Sequence, residues 1–419
     1  MAAKTVRSYE VYQRQTERDI PIVVPPGFSL QPNFVAEPYA TLALLRDNYS
    51  CFRDWDTNTL WVTRYDDVTS LIADDANFGT RPRGLSYGPD FSGRDLHEDP
   101  LVSMAIASGI QDGAPSIAEV SLYNFVNCAE PDLIANFVEP FIESLLASVV
   151  GIHISDADRF GTLWRVINEG VCWNTNREDR GRRAITELVT LITEYLPKKR
   201  SDPTNDILSA AMSCSTGGPE DELALNVVAT LMELDLRILE GSLANLLYLM
   251  MTHPDQYELV RQNDELVERA WQETLRHSPP ITEVHRYAKH EVERFGQLIP
   301  MGGLVICSVA AANRDPKIFN EPDRFDITRK DLAYREPRGQ FRIDGLPAGV
   351  VPSLGAPATL PTDSPSTYGL TAYAAIVAAK SVLLGSNHFQ LAEPHDHTIA
   401  ARWPGDARVC RRLLVKRGA

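Results

Sequence analysis

The sequence predicts a mainly α-helical fold with a smaller β-rich lobe, and three observations predict it. From Leu133 onward, apolar residues recur at helical spacing in one segment after another. Ala224 to Met251 is one long apolar-rich stretch, stopped by His253-Pro254-Asp255 because proline bars continued helical hydrogen bonding. Near the N-terminus, Leu60-Trp61-Val62-Thr63-Arg64-Tyr65 reads as a strand.

The remaining elements follow in order. A charged, polar arm ends at Pro25-Pro26, and Pro38 to Arg46 has the apolar spacing of a helix. Asp66 to Ile72, directly after the strand, reads as a short capped helix. Pro337 to Thr367 is rich in Pro, Gly, Ser and Thr, which is loop chemistry. The closing helix, about Leu370 to Leu384, is Ala-rich with few charges and is expected to be buried.

The chain has 419 residues, 44% of them hydrophobic and 23% charged, which is ordinary for a globular protein with ample surface to bury. Its formal net charge of −15 repels phosphate backbones and anionic membranes, so neither nucleic acid nor membrane is an expected partner. Met1 to Pro26 holds no apolar run long enough for a signal or a membrane span, and a cytoplasmic location is expected. The six cysteines, at 51, 128, 172, 214, 307 and 410, include no Cys-x-x-Cys pair, so they read as buried small hydrophobes.

Toward the C-terminus, Glu273-Thr274-Leu275-Arg276 is followed by Arg286, by Ala312-Asn313-Arg314-Asp315-Pro316 and by Pro322-Asp323-Arg324-Phe325-Asp326. In that order these stretches resemble the C-terminal half of a bacterial cytochrome P-450. Asp75 to Arg81, Ile154 to Phe160 and Asn205 to Ser209 are similar to further phrases of that family. The resemblance implies its triangular prism with a long central helix. It also implies an N-terminal arm over 1–30 and a single domain over 31–419, whose β-rich lobe lies mainly in 31–90 and 285–310. Residues 337–367 become an insertion in the former cysteine loop, and Glu273 with Arg276 a buried structural pair.

The family's chemistry needs an axial thiolate, groups that hold the haem propionates, and an acid/alcohol pair on the central helix. Here no cysteine lies between Cys307 and Cys410. One register puts Ser353 at the ligand position; the other, gapless into the final helix, puts Thr367 there. Asp112 to Val120 matches the propionate-clamping phrase without its His and Arg, leaving Arg286. Leu234-Asp235-Leu236-Arg237-Ile238 replaces the acid/alcohol phrase. The expectation is a degenerate member with haem absent.

On the central helix Leu231, Asp235, Ile238 and Ser242 share one face. Asp235, a lone carboxylate on that apolar stripe, is the expected catalytic acid, with Arg286 beside it as a site for an anionic group. The blander alternative pairs Asp235 with Arg286, Arg237 or a backbone amide. Leu231, Leu234, Ile238, Ser242 and Arg237 are the expected substrate contacts, and Trp173 is a further aromatic candidate. Glu233 and Glu240 fall on other faces and read as solvated charges. No metal site is expected: Glu233 and Asp235 point apart, Asn226-Thr230-Glu233 misses a metal spacing by one residue, and His395-Asp396-His397 lacks a third ligand. Mg2+ enters only with a prenyl diphosphate substrate. These residues point to non-redox cyclisation or isomerisation of an apolar small molecule in secondary metabolism, a lyase or isomerase activity. The alternatives are a non-catalytic partner that stabilises or activates another enzyme, such as a glycosyltransferase, and a haem monooxygenase with an unusual ligand.

Overall fold

A computed structural model describes residues 24–81, 86–88, 91, 93–96, 99–171, 174–215, 217–234, 237–332, 367–392 and 397–417. The longer helices are α1 (Tyr39–Asn48), α2 (Tyr65–Ile72), α3 (Pro100–Val126), α4 (Glu139–Val150), α5 (Ala157–Gly170) and α6 (Thr175–Ser201). They continue as α7 (Ile207–Cys214), α8 (Glu220–Glu233), α9 (Arg237–Thr252), α10 (Pro254–Gln262), α11 (Leu266–His277) and α12 (Thr367–Leu383). The main strands are β1 (Phe52–Asp54), β2 (Thr59–Val62), β3 (Phe78–Gly79), β4 (Glu283–Ala288), β5 (Val292–Arg294), β6 (Gln297–Ile299) and β7 (Leu304–Ser308).

Strands β1-β2-β7-β4-β3 form one sheet in that order. All four residues of β2 are buried, and it runs parallel to β7, with Leu60 opposite Val305 and Val62 opposite Cys307. Alternation along a strand sends neighbours to opposite faces. Leu60, Val62, Val305 and Cys307 therefore pack against Val68 and Leu71 of α2, while Trp61 and Ile306 pack against Phe28, Phe34 and Leu45. The expected strand ends early because Tyr65 already opens α2, where its N–H donates to the distant Asp315 Oδ2 at 3.1 Å.

The helical part centres on α3, α4, α9 and α12. Ala374, Ala375, Ala378 and Ala379 line the buried side of α12, and such small side chains let it lie close to α3 and α9. The expected central helix is two helices, α8 and α9, separated at Leu234. Downstream, Pro254 opens α10 and ends α9 as its chemistry requires. Four C-terminal strands, β8 (Phe389–Leu391), β9 (Ile399–Ala400), β10 (Val409–Cys410) and β11 (Val415–Arg417), form two small sheets. At two or three residues each, they are too short for periodicity to reveal. Among the described residues no helix is long and apolar enough to cross a membrane.

The segment after α11 is held by side chains more than by regular structure. Arg276 Nε donates to Glu273 Oε2 at 2.7 Å and Nη2 to Glu273 Oε1 at 2.8 Å, with both side chains 0% exposed. Its other donors reach the carbonyls of Asn313 (3.0 Å), Pro322 (2.7 Å) and Arg324 (3.0 Å). All five guanidinium N–H groups are therefore used. Glu273 Oε1 also accepts from the Asp326 N–H at 3.0 Å. Arg276→Lys leaves three donors for five acceptors and a partly unpaired buried carboxylate, so urea unfolding should show a loss of about 3–5 kcal/mol. An unchanged urea midpoint would mean that other contacts hold this segment.

Candidate functional site

The residues expected to surround a pocket on the central helix are mostly core. Leu231, Leu234, Ile238 and Ser242 are all buried. Ser242 Oγ accepts from Trp271 Nε1 at 3.0 Å and donates to the Leu239 carbonyl at 3.2 Å, so its hydroxyl is engaged. Leu231, Leu234 and Ile238 belong to the main core cluster, and the helix that carries Ile238 and Ser242 packs against α11 and its neighbours. Asp235, Trp173, Ser353 and His395 lie outside the described residues. Thr367 begins α12.

Arg286 projects from β4 and is 2% exposed. Its Nη2 donates to Asp75 and, at 3.2 Å, to the Phe78 carbonyl, while Nε has no partner among the described residues. This keeps one buried donor for an anionic group. The Asp112 to Val120 stretch lies in the middle of α3, with Ala114 and Ala118 buried and the rest largely turned outward.

A cavity of about 140 Å3 opens elsewhere, between α4, α5, the start of α9 and the C-terminal segment before β10. Two glycines allow the approach. Any side chain at Gly161 would run into Glu143, and one at Gly241 into Pro280 and Val409. Asn245 of α9 clasps the C-terminal segment, donating to the carbonyls of Ser278 and Arg408 at 2.9 Å each and accepting from the Cys410 N–H at 2.9 Å. Arg237, Glu240, Gly241 and Ala244 face the cavity at helical positions i, i+3, i+4 and i+7. Of the expected substrate contacts, only Arg237 reaches it.

Glu240 is half-buried where it lines this space. Burial pushes its carboxyl above the usual range, and Glu139 adds to the push, while Arg165, Arg411 and Arg402 oppose it. Burial likewise raises Glu143, to about 7, against the pull of Arg165. Arg165 pairs with Glu143 and, at 3.3 Å, with Glu139. Arg402 pairs with Glu169 at 2.6 Å and Asp406 at 3.0 Å, and Arg411 with Asp406 at 2.8 Å. The signal for this site was present in the sequence. Two opposite charges and two small residues share one helical face, but only the neighbouring elements show that this face is enclosed.

The model of the family described as Cytochrome P450 matches residues 241–333. Cytochrome P450 107B1 of Saccharopolyspora erythraea is 27% identical over 303 residues, 65% of this chain and 73% of that one. The 6-deoxyerythronolide B hydroxylase of the same organism is 31% identical over 201 residues, 47% of this chain and 49% of that one. The solved structure of CalO2 superposes with a TM-score of 0.73 at 20% identity, over 93% of this chain and 98% of that one, which establishes the fold.

These relatives correct two expectations. A hydroxylase name speaks for haem-dependent oxidation, against the non-redox lyase or isomerase reading built on Asp235. The matched family likewise indicates haem, against its expected absence and against the Mg2+ alternative. Among the described residues no group of three or more metal-ligating side chains gathers. The residues present fit a haem held by thiolate only in part. Arg286 suits an anionic group, but burial pushes the thiols of Cys307 and Cys410 up to about 12, and both are embedded in strands. A thiolate ligand is not supplied by the chain between them.

The raised Glu143 has a consequence for stability. Burial lifts its carboxyl from the usual 4.5 to about 7, so the folded state holds the proton longer, and stability falls as pH rises across that interval. In Glu143→Gln this component is missing. Urea midpoints compared at the two ends of the interval should fall less with rising pH than in the unsubstituted protein, and an equal slope would place the titration elsewhere.

Proposed function

This chain belongs to the cytochrome P450 superfamily, and we propose that it works in the cytoplasm as a partner protein in small-molecule biosynthesis, binding and stabilising another enzyme such as a glycosyltransferase. The observation that carries this reading is the absence of any cysteine from 308 to 409. A hydroxyl ligand in its place is a poor donor to ferric iron. A binding role asks nothing of that ligand.

Helix α3 supports the reading from the outside. Its 27 residues include only two charged side chains, Asp112 and Glu119. Leu101 (50% exposed), Met104 (66%), Val120 (60%) and Tyr123 (70%) are turned to solvent along it. An exposed apolar pair near each end of a helix, one of them with an aromatic residue, is suited to protein–protein contact. A second reading, oxidation of an apolar small molecule by the chain itself, is favoured by the hydroxylase among its relatives and by the buried Arg286.

The two readings part on simple measurements. Co-expression with glycosyltransferases of small-molecule pathways should yield a complex by size exclusion. The double substitution Met104→Asp and Tyr123→Asp should weaken that complex at least about tenfold while leaving the melting temperature nearly unchanged. A thiolate-type Soret band, together with substrate turnover by the chain and a reductase alone, would overturn the partner reading in favour of the second.

A further inference from the structure

The cavity beside α9 carries more acid than its own cations neutralise. Glu139 and Glu143 of α4 are held by Arg165, and Glu169 and Asp406 by Arg402 and Arg411. Glu240 has no hydrogen bond or ion pair among the described residues, although it lines the same space. Asp158 adds to the negative field on Glu143 from α5. Opposite these carboxylates, Ile142, Leu146, Trp164 and Ala244 supply apolar wall.

We propose that this cavity binds a small organic cation, a protonated amine on a compact apolar or aromatic body, with Glu240 as its counter-ion. The volume of about 140 Å3 is close to the roughly 150 Å3 of an apolar cavity that admits benzene. A neutral ligand would leave Glu240 without a partner, and an anion would meet Arg165, Arg402 and Arg411 already engaged by carboxylates, with Arg237 the remaining cation of the lining. The ammonium supplies the missing charge where the local dielectric makes the pair strong. Burial and Glu139 push the Glu240 carboxyl above its usual range, and a bound cation would pull it back down. The inference rests on the cavity alone, and a failed search for a partner enzyme would leave it standing.

The test is calorimetric titration of the full chain with benzylamine, and with benzyl alcohol as the uncharged isostere. Benzylamine should bind at least about tenfold more tightly than the alcohol, because only the amine brings a charge for Glu240. Glu240→Gln should weaken benzylamine by about tenfold or more and change the alcohol little. Its melting temperature should be nearly unchanged, since Glu240 is only half-buried and forms no ion pair among the described residues. Equal affinities for amine and alcohol, or an unchanged benzylamine affinity in Glu240→Gln, would overturn the proposal. If that variant does not fold, the unsubstituted protein decides: an affinity for benzylamine no greater than for benzyl alcohol counts against the proposal.

Discussion

The buried Glu273–Arg276 pair is the contact on which the C-terminal half of this chain depends. Residues 313–329 have almost no regular structure, so their buried carbonyls and N–H groups must find partners outside a helix or a ladder. Arg276 supplies donors for three of those carbonyls, and Glu273 an acceptor for the Asp326 N–H. Asn313 Nδ2 returns to the Leu275 carbonyl at 3.2 Å, and Asp315 receives the Tyr65 N–H. The coil thereby joins α11 to the start of α2, and through α2 to the sheet. Desolvating two ions is costly, and that cost is offset here because every guanidinium donor is used.

Architecture and chemistry separate in this chain. The pair just described, the five-stranded sheet and the packing of α3, α4, α9 and α12 need only apolar shape and satisfied polar groups, and all of them are in place. Reactive chemistry needs particular atoms at particular points, and there the chain differs from the pattern it resembles. Ser242 is spent on Trp271, the Nη2 group of Arg286 on Asp75 and Phe78, and the thiols of Cys307 and Cys410 are buried. A scaffold tolerates such changes because core volume, not reactivity, governs whether it folds.

Two features of the surface and the interior share a physical theme, charge placed against expectation. Helix α3 is nearly uncharged where it meets solvent, which lowers the cost of covering it with another protein. The cavity by α9 gathers five carboxylates against four arginines, and Glu240 is the carboxylate left without an ion pair among the described residues. Neither arrangement improves the stability of the isolated chain, and both favour something brought from outside.

The sequence by itself determined the helical class, the β-rich segment, the Pro254 boundary, the final Ala-rich helix and the Glu273–Arg276 spacing. Each of these follows from interactions within a few residues: the 3.6-residue repeat, a missing N–H, or side chains one turn apart. The C-terminal strands were too short to leave a pattern. Tertiary structure alone decided the rest. It buried Leu231, Leu234, Ile238 and Ser242 in packing, and it enclosed Glu240 by bringing residues 402–411 against α9 through Asn245. Whether a charge on a helix meets water or a cavity depends on segments far away in the chain, and local periodicity carries no record of them.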